Sequence, residues 1–217
     1  MDHSLARQFM IDSQIRPSGV TDPEQVAAFV NTPREAFLPK SQEAIAYSEL
    51  AIETSEDRSV WRPRDFALLV EAAEPREDDV ALVIGAGAGY ETALLSHLVE
   101  TAIGVDDNEA IVNQTTERLA DLGFESALCV EGKLDAGLPD QAPFDLILVN
   151  GMVETVPAAW TDQLSEGGRL AVVVESEAGL GAARIYTKAG ASVSYRTAFE
   201  VTVPKFSAFD RAETFTF

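Results

Sequence analysis

The stretch ALVIGAGAGYETALL at residues 81–95 restricts this chain more than any other. An apolar run ending in three glycines at alternate positions, followed by a helical pattern, is what a β-strand turning sharply into a helix requires. Gly85, Gly87 and Gly89 let the backbone turn and let a ligand approach the main chain with no Cβ in the way. Taken alone, alternating Gly and Ala is also compatible with a plain tight turn. GVDD at 104–107 adds a second signal. Asp106 falls about 20 residues after the first glycine, where a carboxylate can take both hydroxyls of a ribose. Together these features point to an adenosine-bearing ligand. The dinucleotide fingerprint needs its third glycine where Tyr90 stands, so S-adenosylmethionine is favoured over a nicotinamide cofactor.

Around this loop the chain alternates short apolar runs with helical segments, the texture of a parallel sheet with crossover helices. Strands are expected near 80–84, 101–105, 126–130, 144–149 and 169–174, with helices at 90–99, 108–122 and 155–165. ARIYTKAG and SVSYRTAFEVTVP, with a turn at Gly190, read as an antiparallel pair closing the sheet edge. Residues 1–75 read instead as helices and irregular connections. Asp22-Pro23 with Gln25 marks one helix start, Pro63 opens another, and Pro33 and Pro39 interrupt between them. The expected organisation is a helical extension over 1–75 and a Rossmann-like α/β domain over 76–217.

Composition narrows the chemistry. The chain of 217 residues is 46% hydrophobic, enough for one substantial core. Thirty-six acidic against 16 basic residues give a formal net charge of −20, which repels a phosphate backbone and argues against a nucleic-acid partner. No apolar run reaches the roughly 18 residues of a membrane span, and the charged N-terminus lacks a signal-peptide core, so a cytoplasmic protein without a membrane partner is expected. Cys129 is the one cysteine and reads as a buried free thiol. With only His3 and His97, no metal spacing and no nucleophile–histidine pattern exists.

Several blocks in order resemble the protein-L-isoaspartate O-methyltransferase family. RQFMIDSQIRPSGVTDPEQVAAF is similar to its opening segment, TPREAFLP to VPR-x-x-FVP, Ala46-Tyr47 to its AY, and ALVIGAGAGYETALLS to VLEIGTGSGYQAAVLA. APFDLILVNG, VPAAWTDQLSEGGRL and a late VP at 203–204 follow. The resemblance implies a mostly parallel seven-stranded methyltransferase fold with an antiparallel C-terminal edge. It also implies S-adenosylmethionine as methyl donor and an isoaspartyl protein or peptide as acceptor. The implied transfer is an SN2 displacement from a sulfonium, in which alignment does most of the work and strong acid–base catalysis is unnecessary. Cofactor contacts are then expected at Gly85, Ala86, Gly87, Gly89, Asp106, Asp107, Lys133, Leu134 and Asn150.

Three positions depart from the family pattern. Aligning the proline of its QTISQP with Pro63 puts Trp61 where the family has its catalytic or substrate-orienting serine, leaving Ser59 as the nearby hydroxyl. Val83 stands in place of a glutamate in the first cofactor strand. In EGKLDAG, Lys133 stands in place of an aspartate near the adenine. Losing one polar partner costs about 1–3 kcal/mol, so these changes leave open a relative that is non-catalytic or takes another acceptor. Arg58, Arg62 and Arg64 form a cationic group that could draw in a carboxylate.

Overall fold

The computed structural model describes residues 2–55, 57–176, 179–206 and 209. Its centre is a seven-stranded sheet built from β3 (Val80–Ile84), β4 (Thr101–Asp106), β5 (Ala127–Glu131), β6 (Phe144–Val153), β7 (Leu164–Glu175), β8 (Gly181–Ala189) and β9 (Ser192–Glu200). The order across the sheet is β5-β4-β3-β6-β7-β8-β9. Neighbours from β5 to β7 pair in parallel, while β7–β8 and β8–β9 are antiparallel. The mixed sheet with its antiparallel C-terminal edge is the Rossmann-like methyltransferase arrangement expected from the sequence.

Both faces of the parallel strands are covered, which is why these strands read as continuous apolar runs rather than alternating ones. Ala81, Val83, Leu146, Leu148, Ala171 and Val173 face one core. Leu82, Ile84, Ile147, Val149, Leu170 and Val172 face a second, with Trp160, Phe206 and Phe209. The N-terminal segments share the first core through Met10, Ile11, Phe29, Phe37, Trp61 and Phe66.

Those segments begin with α1 (His3–Met10), which runs on through a π-helical Ile11–Ile15 and ends at Gly19 with φ 103°. In α2 (Pro23–Asn31), Asp22 accepts from the main-chain N–H groups of Glu24 and Gln25 at 3.0 and 2.9 Å, capping the helix as its sequence indicates. Asp22→Ala is expected to lower unfolding free energy by about 1 kcal/mol, read as a lower urea midpoint at unchanged slope. The Gln25 side chain does not close the cap; it donates to the Ala67 carbonyl of α3 (Pro63–Ala73) at 2.7 Å.

Three expectations need correction. Between α2 and α3 lies an antiparallel hairpin, β1 (Ile52–Ser55) with β2 (Arg58–Val60), where only irregular chain was expected. It is too short, and too polar at 53–59, to show a strand pattern. The helix expected at 155–165 is only α6 (Ala158–Asp162), because Leu164 already pairs with Phe144 and the chain must leave the helix at Gln163. The helix expected at 90–99 ends at Leu95 as α4 (Tyr90–Leu95), whereas α5 (Glu109–Asp121) follows its pattern, capped by Asn108. Among the described residues no helix is long and apolar enough to cross a membrane.

Candidate functional site

Strand order reverses at β3, which continues to β4 on one side and has β6 on the other, and open α/β sheets place ligands in the crevice at that point. Gly85, Gly87 and Gly89 line the turn that leaves β3, with φ of 78°, 52° and 90°, conformations that L side chains rarely adopt. The Gly85 and Ala86 amides both donate to the Val105 carbonyl at 2.9 and 3.0 Å, folding the turn back on β4. Across the crevice, β6 continues through Asn150-Gly151 with a register shift rather than ending in a turn. Buried Asn150 donates through Nδ2 to the Gly85 carbonyl at 3.0 Å and to Glu91 at 3.2 Å.

Asp106 ends β4 with 0% exposure, and all of its acceptor positions are used. Oδ2 accepts from the Gly87 amide at 3.0 Å and from Arg58 Nε at 2.8 Å. Oδ1 accepts from the Asn108 amide at 3.2 Å and from Arg58 Nη2 at 3.1 Å. A carboxylate offers about four lone-pair sites, and here there are four donors. Arg58 Nη2 also reaches Asp107 at 2.7 Å. Burial opposes the charge of Arg58, but the hydrogen bonds and charges of Asp106 and Asp107 outweigh it and hold its pKa above the usual value.

Phe206 fills the other half of the crevice. A Cβ placed on Gly85 would lie 2.2 Å from its ring, and one on Gly151 would lie 2.9 Å away. Its ring stacks under the Arg58 guanidinium at 5.2 Å, and the Arg58 stem lies across Gly87. In this conformation an adenosyl group therefore does not fit: its diol finds no free acceptor on Asp106, and an aromatic ring occupies the space against Gly85. Neither residue figured among the cofactor contacts expected from sequence. Arg58 stood out only as a cation, and Phe206 carried no signal at all.

The remaining expected residues scatter. Lys133 is exposed, while Leu134 is buried, its carbonyl accepting from Trp160 Nε1 at 2.7 Å. Val83 is buried in the first core. Trp61 is 1% exposed and packs edge-on to Phe66, so the indole is part of the core. Ser59 is half-buried on β2, opposite Glu53. Arg62 and Arg64 both pair with Asp65, and Arg64 also approaches Glu49. An open cleft of about 270 Å³ lies on the outer side of the glycine turn, with Thr54, Ser55, Gly87, Ala88 and Thr115 in its wall. Cys129 is buried, and burial pushes its thiol up to about 12, far from reactivity at neutral pH. Among the described residues no group of His, Cys, Asp or Glu could hold a metal ion.

A family model described as Protein-L-isoaspartate(D-aspartate) O-methyltransferase matches residues 6–206. The chain belongs to this family. A protein-L-isoaspartate O-methyltransferase of Roseiflexus castenholzii is 37% identical over 174 residues, covering 80% of this chain and 79% of the relative. One from Methanoregula boonei is 34% identical over 172 residues, covering 79% of each. A solved protein-L-isoaspartate O-methyltransferase superposes with a TM-score of 0.81 at 25% identity, covering 94% of this chain and 66% of that one. A Plasmodium falciparum structure with TM-score 0.74 and 16% identity covers 94% and 98%; it shares the fold and is described as a complex with S-adenosyl-L-homocysteine. The enzymes of the family use S-adenosylmethionine to methylate carboxylates of damaged aspartyl residues.

Proposed function

We propose that this member of the isoaspartyl methyltransferase family is itself an S-adenosylmethionine-dependent carboxyl methyltransferase of the cytoplasm, acting on isoaspartyl residues of proteins or peptides. The observation that carries the reading is the glycine turn closed on Asp106, the place and chemistry of an adenosyl cradle in a chain matched to the family over residues 6–206. The donor, when bound, supplies an electrophilic methyl group. What the chain contributes is placement. Gly85, Gly87 and Gly89 supply the positive-φ turn without a Cβ on the main chain, and Asp106 is held rigid by two backbone amides. Asn150 fixes the Gly85 carbonyl from β6. Ala86 and Asp107 flank these positions, with Lys133 and Leu134 in the next loop, as further proposed contacts.

For the acceptor side, Trp61 is sealed in the core, so hydroxyls that could orient a carboxylate must come from elsewhere: Ser59 on β2, or Thr54 and Ser55 on the wall of the cleft. Methyl transfer from labelled donor to an isoaspartyl peptide, compared with the same peptide carrying normal aspartate, tests the reading. Labelling of the isoaspartyl peptide alone is expected. Labelling of neither would remove the proposed acceptor.

A further inference from the structure

The adenosyl cradle is already filled, and by two groups from outside the parallel sheet. Arg58 comes from the β1–β2 hairpin, and Phe206 from the strap that follows β9. We propose that Arg58 and Phe206 form a two-part plug that holds the adenosyl site closed, so that an adenosyl ligand binds only by displacing them. This deepens the function proposed above and rests on the cradle being an adenosyl site.

Four observations carry it. Of the four donors on Asp106, the Gly87 and Asn108 amides belong to the turn and to the α5 cap, so only Arg58 can leave without unmaking the fold. Its bidentate pairing puts two N–H groups on the carboxylate oxygens that a ribose diol would otherwise engage. Phe206 presses on the two glycines, Gly85 and Gly151, that leave space on either wall of the crevice. The two groups also hold each other, guanidinium over ring, so each steadies the other in place.

Both parts sit on supports that could shift while the sheet stays intact. The β1–β2 hairpin pairs along only a few residues and contains a register shift. The strap is fastened at Met152, whose N–H donates to the Pro204 carbonyl and whose carbonyl accepts from the Phe206 amide, each at 2.9 Å, and by Lys205, which pairs with Glu154 and Glu175 at 2.7 and 2.9 Å. Phe209 extends it onto Trp160, with ring centroids 5.2 Å apart. Closure of this kind lowers apparent affinity by the fraction of open molecules: about 1% open means about 100-fold weaker binding.

Calorimetric titration of S-adenosyl-L-homocysteine into the full chain, its Phe206→Ala variant and its Arg58→Ala variant tests the plug. At least 10-fold tighter binding is expected for Phe206→Ala, and a comparable gain for Arg58→Ala. Cooperative thermal unfolding confirms that each variant is folded. Arg58→Ala strips Asp106 of its cation, so Phe206→Ala and the milder Phe206→Leu decide the matter if that variant does not fold. Equal affinity in wild type and folded variants, whether tight or undetectable, overturns the plug. Tighter binding without methyl transfer to an isoaspartyl peptide leaves the plug standing and removes the proposed acceptor chemistry. Methyl transfer by wild type with unchanged affinities does the reverse.

Discussion

Arg34→Met is expected to cost about 3–5 kcal/mol of folding stability, a fall in Tm of roughly 6–20 °C for a domain of this size. Arg34 is 0% exposed, in a helical turn between α2 and the hairpin. Its Nε donates to the Ala46 carbonyl at 2.6 Å, and Nη2 donates to the carbonyls of Trp61 and Leu50. Its guanidinium also lies over the Tyr90 ring at 5.1 Å. One planar side chain thus ties the segments before and after β1–β2 to the start of α4. Burial pulls the Arg34 pKa below its usual value, yet an arginine remains charged at any pH the fold survives. A buried ion pair can often be replaced by apolar groups at little cost, because both charges leave together. Here the acceptors are main-chain carbonyls that stay behind unsatisfied. Arg34→Lys should recover only part of the loss, since an ammonium cannot reproduce the fork. Urea unfolding of both variants measures the effect; a loss under about 1 kcal/mol for Arg34→Met would mean that these carbonyls find other donors.

How far the sequence reaches is clear from the two halves of the site. The β3 turn, β4 and Asp106 were legible because their requirements are local: glycines where φ is positive, an apolar run of strand length, an acid at a fixed distance. The antiparallel edge was legible for the same reason, two long strands around Gly190 with φ 58°. What fills the cradle was not. Arg58 and Asp106 are 48 positions apart, and nothing in the residues around either one announces the other. Phe206 acts through two glycines far from it in sequence, and its own surroundings, VPKF, show only the end of the chain's last block. The three arginines at 58, 62 and 64 look alike in sequence as a cationic group, yet the fold gives the first the buried Asp106 and the exposed Asp107, and the others the Asp65 carboxylate. Glu91 carries no sequence signal for a further reason: an acid in the first turn of a helix is common, and its complete burial is a property of the packing alone.

That burial makes stability depend on pH, and Glu91→Gln should remove the dependence. Glu91 Oε1 accepts from the Trp61 amide at 3.3 Å and Oε2 from Asn150 Nδ2 at 3.2 Å, with the Arg34 charge and Tyr90 nearby. Loss of hydration raises its pKa from 4.5 to about 7, even though these donors and Arg34 act in the opposite direction. Because the folded-state pKa lies above the unfolded one, the native protein holds this proton more tightly. The resulting stability is fully present below about pH 4.5 and is lost as the pH rises through about 7. Over that window the wild type should lose roughly 3 kcal/mol through this residue. Glutamine resembles the protonated acid, so wild type and Glu91→Gln should match near pH 4.5, diverge as the pH rises to about 7 and keep a constant gap above it, with the variant more stable. Thermal unfolding from pH 4.5 to 8 reads the difference; parallel curves would show that Glu91 is ionised throughout. The outcome also bears on the crevice. Glu91 is joined through Asn150 to the Gly85 carbonyl and directly to the main chain leaving β2, the strand that carries Arg58.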